Sequence, residues 1–147
     1  MSREFTIRQA EIIDAKKIFG FVCALEEKTF NYEKFYLDYR NNILGNNNVY
    51  LVAVDKENNA VGYISCHGQS LLHHGGMVYE IHELYVEDAW RKQGVGKTLL
   101  KALELQLAKK DYQSLEVTAK DKRKEAIELY KKYGFEKTHV KLTREKK

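Results

Sequence analysis

The stretch Tyr85-Val86-Glu87-Asp88-Ala89-Trp90-Arg91-Lys92-Gln93-Gly94-Val95-Gly96-Lys97-Thr98 decides how the rest of the chain is read. It leaves an apolar, strand-like run and enters a segment with helical periodicity. Two glycines flank Val95, and without Cβ atoms they let a ligand come close to the backbone. The free amides of a helix's first turn, together with the helix dipole, make an anion site. Arg91, Lys92 and Lys97 add positive charge. Two nucleotide loops share some of these letters. A Walker A loop also ends in Gly-Lys-Thr, as Gly96-Lys97-Thr98 does, but it needs a glycine where Arg91 stands. A dinucleotide fingerprint needs a third glycine where Leu99 stands. Two readings remain: a pyrophosphate-type anion site, or a glycine turn that only opens a surface helix.

Downstream of the loop, Val95, Leu99, Leu103 and Leu107 share one face of a helix expected over 94–109. Leu115 to Thr118 reads as a short strand. A helix over 121–133 should stop at Gly134, and Phe135 to Leu142 reads as a final strand. Upstream, Met77 to Val86 is strand-like, Gly68 to Gly76 reads as a connection, and Ala60 to Cys66 as the strand before it. Val49 to Val54 is a dense β-branched run that turns at Asp55-Lys56-Glu57-Asn58-Asn59. Helices are expected over 10–25 and 32–44, after a first strand at Phe5 to Arg8. The order is β-α-α-β-β-β-α-β-α-β. That predicts an α/β (α+β) fold: a single mixed sheet of about six strands flanked by about four helices. No repeat, linker or low-complexity segment divides the chain, so residues 1–147 are expected to form one domain.

Composition narrows the function class. Apolar residues at 44% can build a core, while 31% charged residues argue against a disordered or membrane protein. No run is long and apolar enough for a membrane helix, and the first residues lack a secretory h-region, so a cytoplasmic protein is expected. The net charge of +4 is not concentrated on one stretch as in a nucleic-acid binder, and it suits a polyanionic cofactor. Cys23 and Cys66 form no C-x-x-C pair and read as buried, reduced thiols.

The Arg91-x-x-Gly94-x-Gly96 loop after a strand resembles the cofactor motif of the GNAT (GCN5-related) acetyltransferases. Further on, Ala126-Ile127-Glu128-Leu129-Tyr130-Lys131-Lys132-Tyr133-Gly134-Phe135 resembles that family's second signature, A-x-x-[LF]-Y-x-x-x-G-[FY]. Together, in this order and at this separation, the two are far more specific than either alone. Within the family, Glu80-Ile81-His82-Glu83-Leu84 is similar to the E-I-x-E-L strand of the aminoalkylphosphonate N-acetyltransferases. His73-His74, residues 135–139, the first helix and the region 30–44 are similar too. One departure concerns Arg123, where many members carry Asn; that arginine could instead serve a phosphate of the cofactor.

The resemblance implies acetyl-CoA as co-substrate and transfer to a small primary amine, for example an aminoalkylphosphonate, by direct attack in a ternary complex. It implies cofactor contacts at Leu84, Tyr85 and Val86 for the pantetheine arm, and at Arg91, Lys92, Gln93, Gly94, Val95, Gly96, Lys97, Thr98 and Arg123 for the phosphates. It also implies Tyr130 as proton donor to the leaving thiolate. Glu80 and Glu83 are the base candidates, with His82 as a rival. Three positions apart, the two glutamates face opposite sides of a regular strand, so both reach one site only if a bulge intervenes. His73 and His74 lack a carboxylate or cysteine at ligand spacing, and no metal ligand is assigned. Two other readings stay open: a protein N-terminal or lysine acetyltransferase, and a non-catalytic CoA-binding regulatory module. A homodimer is expected by analogy only, and neither nucleic acid nor membrane is an expected partner.

Overall fold

A computed structural model of the chain describes residues 3–146. The elements are β1 (Thr6–Gln9), α1 (Ala15–Glu26), α2 (Tyr32–Ile43), β2 (Asn48–Val54), β3 (Ala60–Leu71), β4 (Gly76–Val86), α3 (Val95–Leu107), β5 (Ser114–Val117) and α4 (Lys124–Lys132). The strands form one sheet in the order β1-β2-β3-β4-β5. Neighbours are antiparallel except for the parallel pair β4–β5.

The apolar patterns account for the layers. The β2 run is buried almost throughout because both faces of the sheet are covered. Leu51 and Ala53 join Val95, Leu99, Leu103 and Leu107 of α3 and Tyr130 of α4 on one face. Tyr50, Val52 and Val54 join Ile18 and Phe21 of α1 and Tyr39 of α2 on the other. Helix ends follow local chemistry. The Asn31 side chain accepts from the Lys34 amide at 2.9 Å to cap α2. Gly134, with φ +93°, reverses the chain just past α4.

Two expectations are corrected. The final strand predicted over Phe135 to Leu142 does not form: residues 135–146 are in no helix or strand, and the sheet has five strands. Alternation at Val140 and Leu142 is not enough without a partner edge, and both side chains are exposed. The connection predicted from Gly68 is instead the continuation of β3 to Leu71, paired with Gly76 to Tyr79 of β4. Gly68 broke the apolar run in the sequence, but its ladder position packs under the Tyr79 ring, which a Cβ would meet at 2.5 Å. Cys66 is buried as expected, and burial pushes its thiol up to about 12; Cys23 is only half-buried. Among the described residues no helix is long and apolar enough to cross a membrane.

Burial also raises the phenols of Tyr39, Tyr50 and Tyr63, and that of Tyr130 to about 12. The folded chain keeps these protons above pH 10, where the unfolded chain releases them, so stability falls as pH rises. At pH 11 each such tyrosine removes about 1.4 kcal/mol of stability. Urea midpoints should therefore be level between pH 7 and 9 and drop steeply from pH 10 to 11. A flat profile through pH 11 would show that these hydroxyls are not held as described.

Candidate active site

The ladder between β3 and β4 contains the bulge that the glutamate spacing required. Ser65 pairs with Glu83 and Cys66 with Ile81, leaving His82 as the extra residue. Alternation then restarts. Tyr79 and Ile81 lie in the core shared with α3 and α4, and Leu84 and Val86 pack against that same core. Glu83 and Tyr85 turn to the α1/α2 face, where Tyr85 stacks on Phe21 at 5.2 Å. Glu80 and His82 point to that face as well. His82 Nε2 is 3.9 Å from Glu80 Oε1, and its ring sits 4.9 Å from that of His67. One extra residue thus brings all three base candidates to one side of the sheet.

They are not equivalent there. Glu83 reaches a cavity of about 280 Å³ between the sheet, α2 and the α1–α2 connection. Its Oε1 accepts hydrogen bonds from the hydroxyls of Tyr63 and Ser65, and its amide donates to Ser65 Oγ at 3.2 Å. These partners fix the carboxylate in one orientation. Glu80 lies outside the cavity lining and accepts from Thr118 Oγ1 at 3.0 Å. His82 is outside it too. The cavity wall at Tyr50 continues into a second network. Asn42 Nδ2 donates to the Tyr50 hydroxyl at 3.1 Å, and that hydroxyl bonds His67 Nε2 at 2.6 Å. Burial, then the neighbouring His82, holds the His67 imidazole below its usual range.

Beyond the bulge, β4 and β5 part. Their pairing runs only from Val78↔Ser114 to Ile81↔Val117, so the β4 edge from His82 to Val86 has no partner on the β5 side among the described residues. An open strand edge offers unpaired N–H and C=O groups, which fits a ligand carrying amides, as the pantetheine arm does. This edge runs straight into the loop read first. Lys92 (φ 61°) and Gly94 (φ 84°) are both left-handed and turn the chain back on itself ahead of α3. The first bond of α3 is Thr98 N to Gly94 O at 3.0 Å, so the amides of Val95, Gly96 and Lys97 precede the helical ladder. Lys92 and Lys97 are exposed beside them. The residues therefore fit a polyanion whose amide-bearing arm lies along β4.

Other sequence candidates sit differently. The Arg91 guanidinium braces its own loop, with Nε donating to Val86 O at 3.0 Å and Nη1 lying 3.1 Å from Asp88. Gln93 Nε2 donates to Ala89 O at 3.0 Å. Arg123 donates to the Leu25 carbonyl and, at 2.9 Å, to Glu26, tying the start of α4 to the end of α1. Tyr130 is buried on the α3/α4 face, on the other side of the sheet from Glu83, and no hydrogen bond from its hydroxyl is found among the described residues. His74 lies 3.8 Å from Glu116, and among the described residues no group of three His, Cys, Asp or Glu side chains is placed to hold a metal. The partners of Glu83 and the cavity walls escaped the sequence reading. Tyr63 and Ser65 alternate on one face of β3, but only cross-strand register says which carboxylate they meet.

Comparison with known proteins gives the family and the fold. The chain is 29% identical over 138 residues to the aminoalkylphosphonate N-acetyltransferase of Salmonella typhimurium, covering 94% of this chain and 89% of that one. Its fold matches a transcriptional regulator from Bacillus halodurans C-125 with a TM-score of 0.86 at 19% identity, over 97% and 99% of the two chains. It matches an aminoglycoside N-acetyltransferase solved in complex with CoA with a TM-score of 0.84 at 16% identity, over 99% and 97%. The model of the Acetyltransferase (GNAT) family matches residues 14–135, and the chain belongs to that family as an acetyl-CoA-dependent N-acetyltransferase.

Proposed function

We propose that the chain acetylates a small primary amine held in the Glu83 cavity, with acetyl-CoA lying along the open edge of β4 and its phosphates on the loop before α3. One observation carries this reading: the bulge at His82 turns Glu83 into the cavity at the very point where β4 loses its partner strand. CoA supplies the acetyl group as a thioester. Glu83 takes a proton from the incoming ammonium, directly or through one water, and the amine then attacks the carbonyl carbon. A β4 amide near Leu84 or Tyr85 donates to the carbonyl oxygen as charge builds on it. As the C–S bond breaks, the second proton of the attacking nitrogen passes to the departing thiolate, and the Tyr130 hydroxyl, on the opposite face of the sheet, steadies that sulfur by donating a hydrogen bond. Glu80, bonded to Thr118 beyond β5, and His82, beside His67 of β3, lie outside the cavity as outer proton acceptors. Lys92 and Lys97, with the amides of Val95, Gly96 and Lys97, hold the phosphates, while the Thr98 hydroxyl donates to Gly94 O at 2.7 Å and closes the first turn of α3. Arg91 and Gln93 keep the loop in shape, and Arg123 anchors α4 behind it. The Salmonella relative acts on aminoalkylphosphonates, which makes them one acceptor class to assay.

The test follows free thiol while the protein is mixed with acetyl-CoA and a panel of small amines and peptides. Amine-dependent thiol release is expected. Tight CoA binding with no release above background would instead favour a regulatory module, and release with peptides alone a protein acetyltransferase. Within the same assay, Tyr130→Phe should lower kcat by about 10- to 100-fold with little change in CoA affinity. Because burial pushes that phenol up to about 12, it stays protonated through the assay range and acts as a hydrogen-bond donor rather than a titrating acid. The kcat–pH profile of the unaltered chain should show no alkaline fall due to it below pH 11. An unchanged rate in Tyr130→Phe would remove the residue from the mechanism.

A further inference from the structure

We infer that the acceptor is a primary amine carried on an aromatic or branched apolar body, rather than one carrying a phosphonate; this rests on the Glu83 cavity being the acceptor site. The walls of that cavity are rings. Phe30, Phe35, Tyr39, Tyr50 and Tyr63 line it, with Val22 beside them. Phe35 and Tyr39 lie nearly parallel, 6.0 Å apart at 7°. The polar atoms of these rings are already used within the protein. The Tyr39 hydroxyl donates to Glu11 O at 2.7 Å, that of Tyr63 donates to Glu83, and that of Tyr50 bonds His67. The rings therefore offer a ligand their faces, which suit an apolar or aromatic body.

Charge points the same way. The cavity holds two carboxylates, Glu83 at its floor and Asp38 at its rim. Among the described residues Lys34 is the one basic side chain in its lining, and its Nζ lies 3.5 Å from Asp38. Among the described residues no arginine or histidine lines it. An ammonium is welcomed by Glu83. A phosphonate dianion in the same small space would face that carboxylate, with only one already paired lysine to offset it.

The full chain should be assayed for thiol release from acetyl-CoA with 2-phenylethylamine, 3-methylbutylamine and 2-aminoethylphosphonate. The expected kcat/KM for each of the first two exceeds that for the phosphonate by about tenfold or more. Phe35→Leu, which stays apolar but removes the ring, and Phe30→Ala should each raise KM for 2-phenylethylamine about three- to tenfold, with CoA affinity unchanged. A preference for 2-aminoethylphosphonate overturns the inference. If its KM then shifts in Lys34→Met or Phe35→Leu, the cavity stands as acceptor site and only the substrate class is wrong. Turnover of 2-phenylethylamine with KM unmoved in both ring variants would show that the acceptor binds elsewhere, which overturns the inference together with the site.

Discussion

Glu83→Gln is expected to lower kcat about 100- to 1,000-fold while leaving CoA affinity and the fold in place. The amide has the shape of the carboxylate but cannot take a proton. With its oxygen in the place of Oε1 it still accepts from the Tyr63 and Ser65 hydroxyls, and the Glu83 backbone bond to Ser65 Oγ at 3.2 Å does not depend on the side chain. Thermal stability should therefore change by only about 1 kcal/mol. Glu80→Gln is the matched comparison. Its carboxylate bonds Thr118 at 3.0 Å outside the cavity lining, so its kcat should fall less than about fivefold. Steady-state thiol release on both variants decides between them. If Glu83→Gln kept a third of the kcat while Glu80→Gln lost most of it, the base would be Glu80 and the bulge would have a different purpose.

Gly94→Ala is expected to weaken CoA binding about tenfold or more, and Gly96→Ala to leave it within about threefold. The two glycines look alike in the sequence and are unlike in the structure. Gly94 has φ +84°, a left-handed conformation that costs an alanine about 1–2 kcal/mol. A Cβ there meets nothing within 4 Å, so no core contact is disturbed. The strain is relieved by the loop itself, which would move the amides of Val95, Gly96 and Lys97 away from the phosphates. At Gly96, already inside α3, a Cβ would make ordinary contacts at 3.7 Å to Leu129 and 3.8 Å to Val86. Helix propensity favours alanine there by about 1 kcal/mol. Calorimetric titration with CoA, paired with thermal melts, separates the two effects. Undiminished affinity in Gly94→Ala would sink the assignment of the phosphates to this loop.

Much of this site could be read from residue order. The strand-to-helix glycine loop, its missing third glycine and the Ala126–Phe135 signature are local patterns, and local backbone chemistry decides them. The element order followed from periodicity up to α4. Periodicity failed where strand formation depends on a distant edge: β3 ran past Gly68 because β4 paired with it, and residues 135–142 stayed irregular because nothing did.

The sequence by itself determined the family, and it offered a candidate cofactor loop and a short list of acid and base candidates, since each depends on neighbours close in the chain. Tertiary structure alone decided which candidate faces the cavity beside α2. Glu80, His82 and Glu83 share a side of the sheet only because one residue of β4 is unpaired against β3, and a one-residue slip reverses every side chain beyond it. It alone decided that Arg123 binds the end of α1, where Glu26 waits 97 residues earlier. The Glu83 cavity is likewise a meeting of α2, β2, β3 and β4. Its shape and charge come from long-range register and packing, which no local pattern in the sequence encodes.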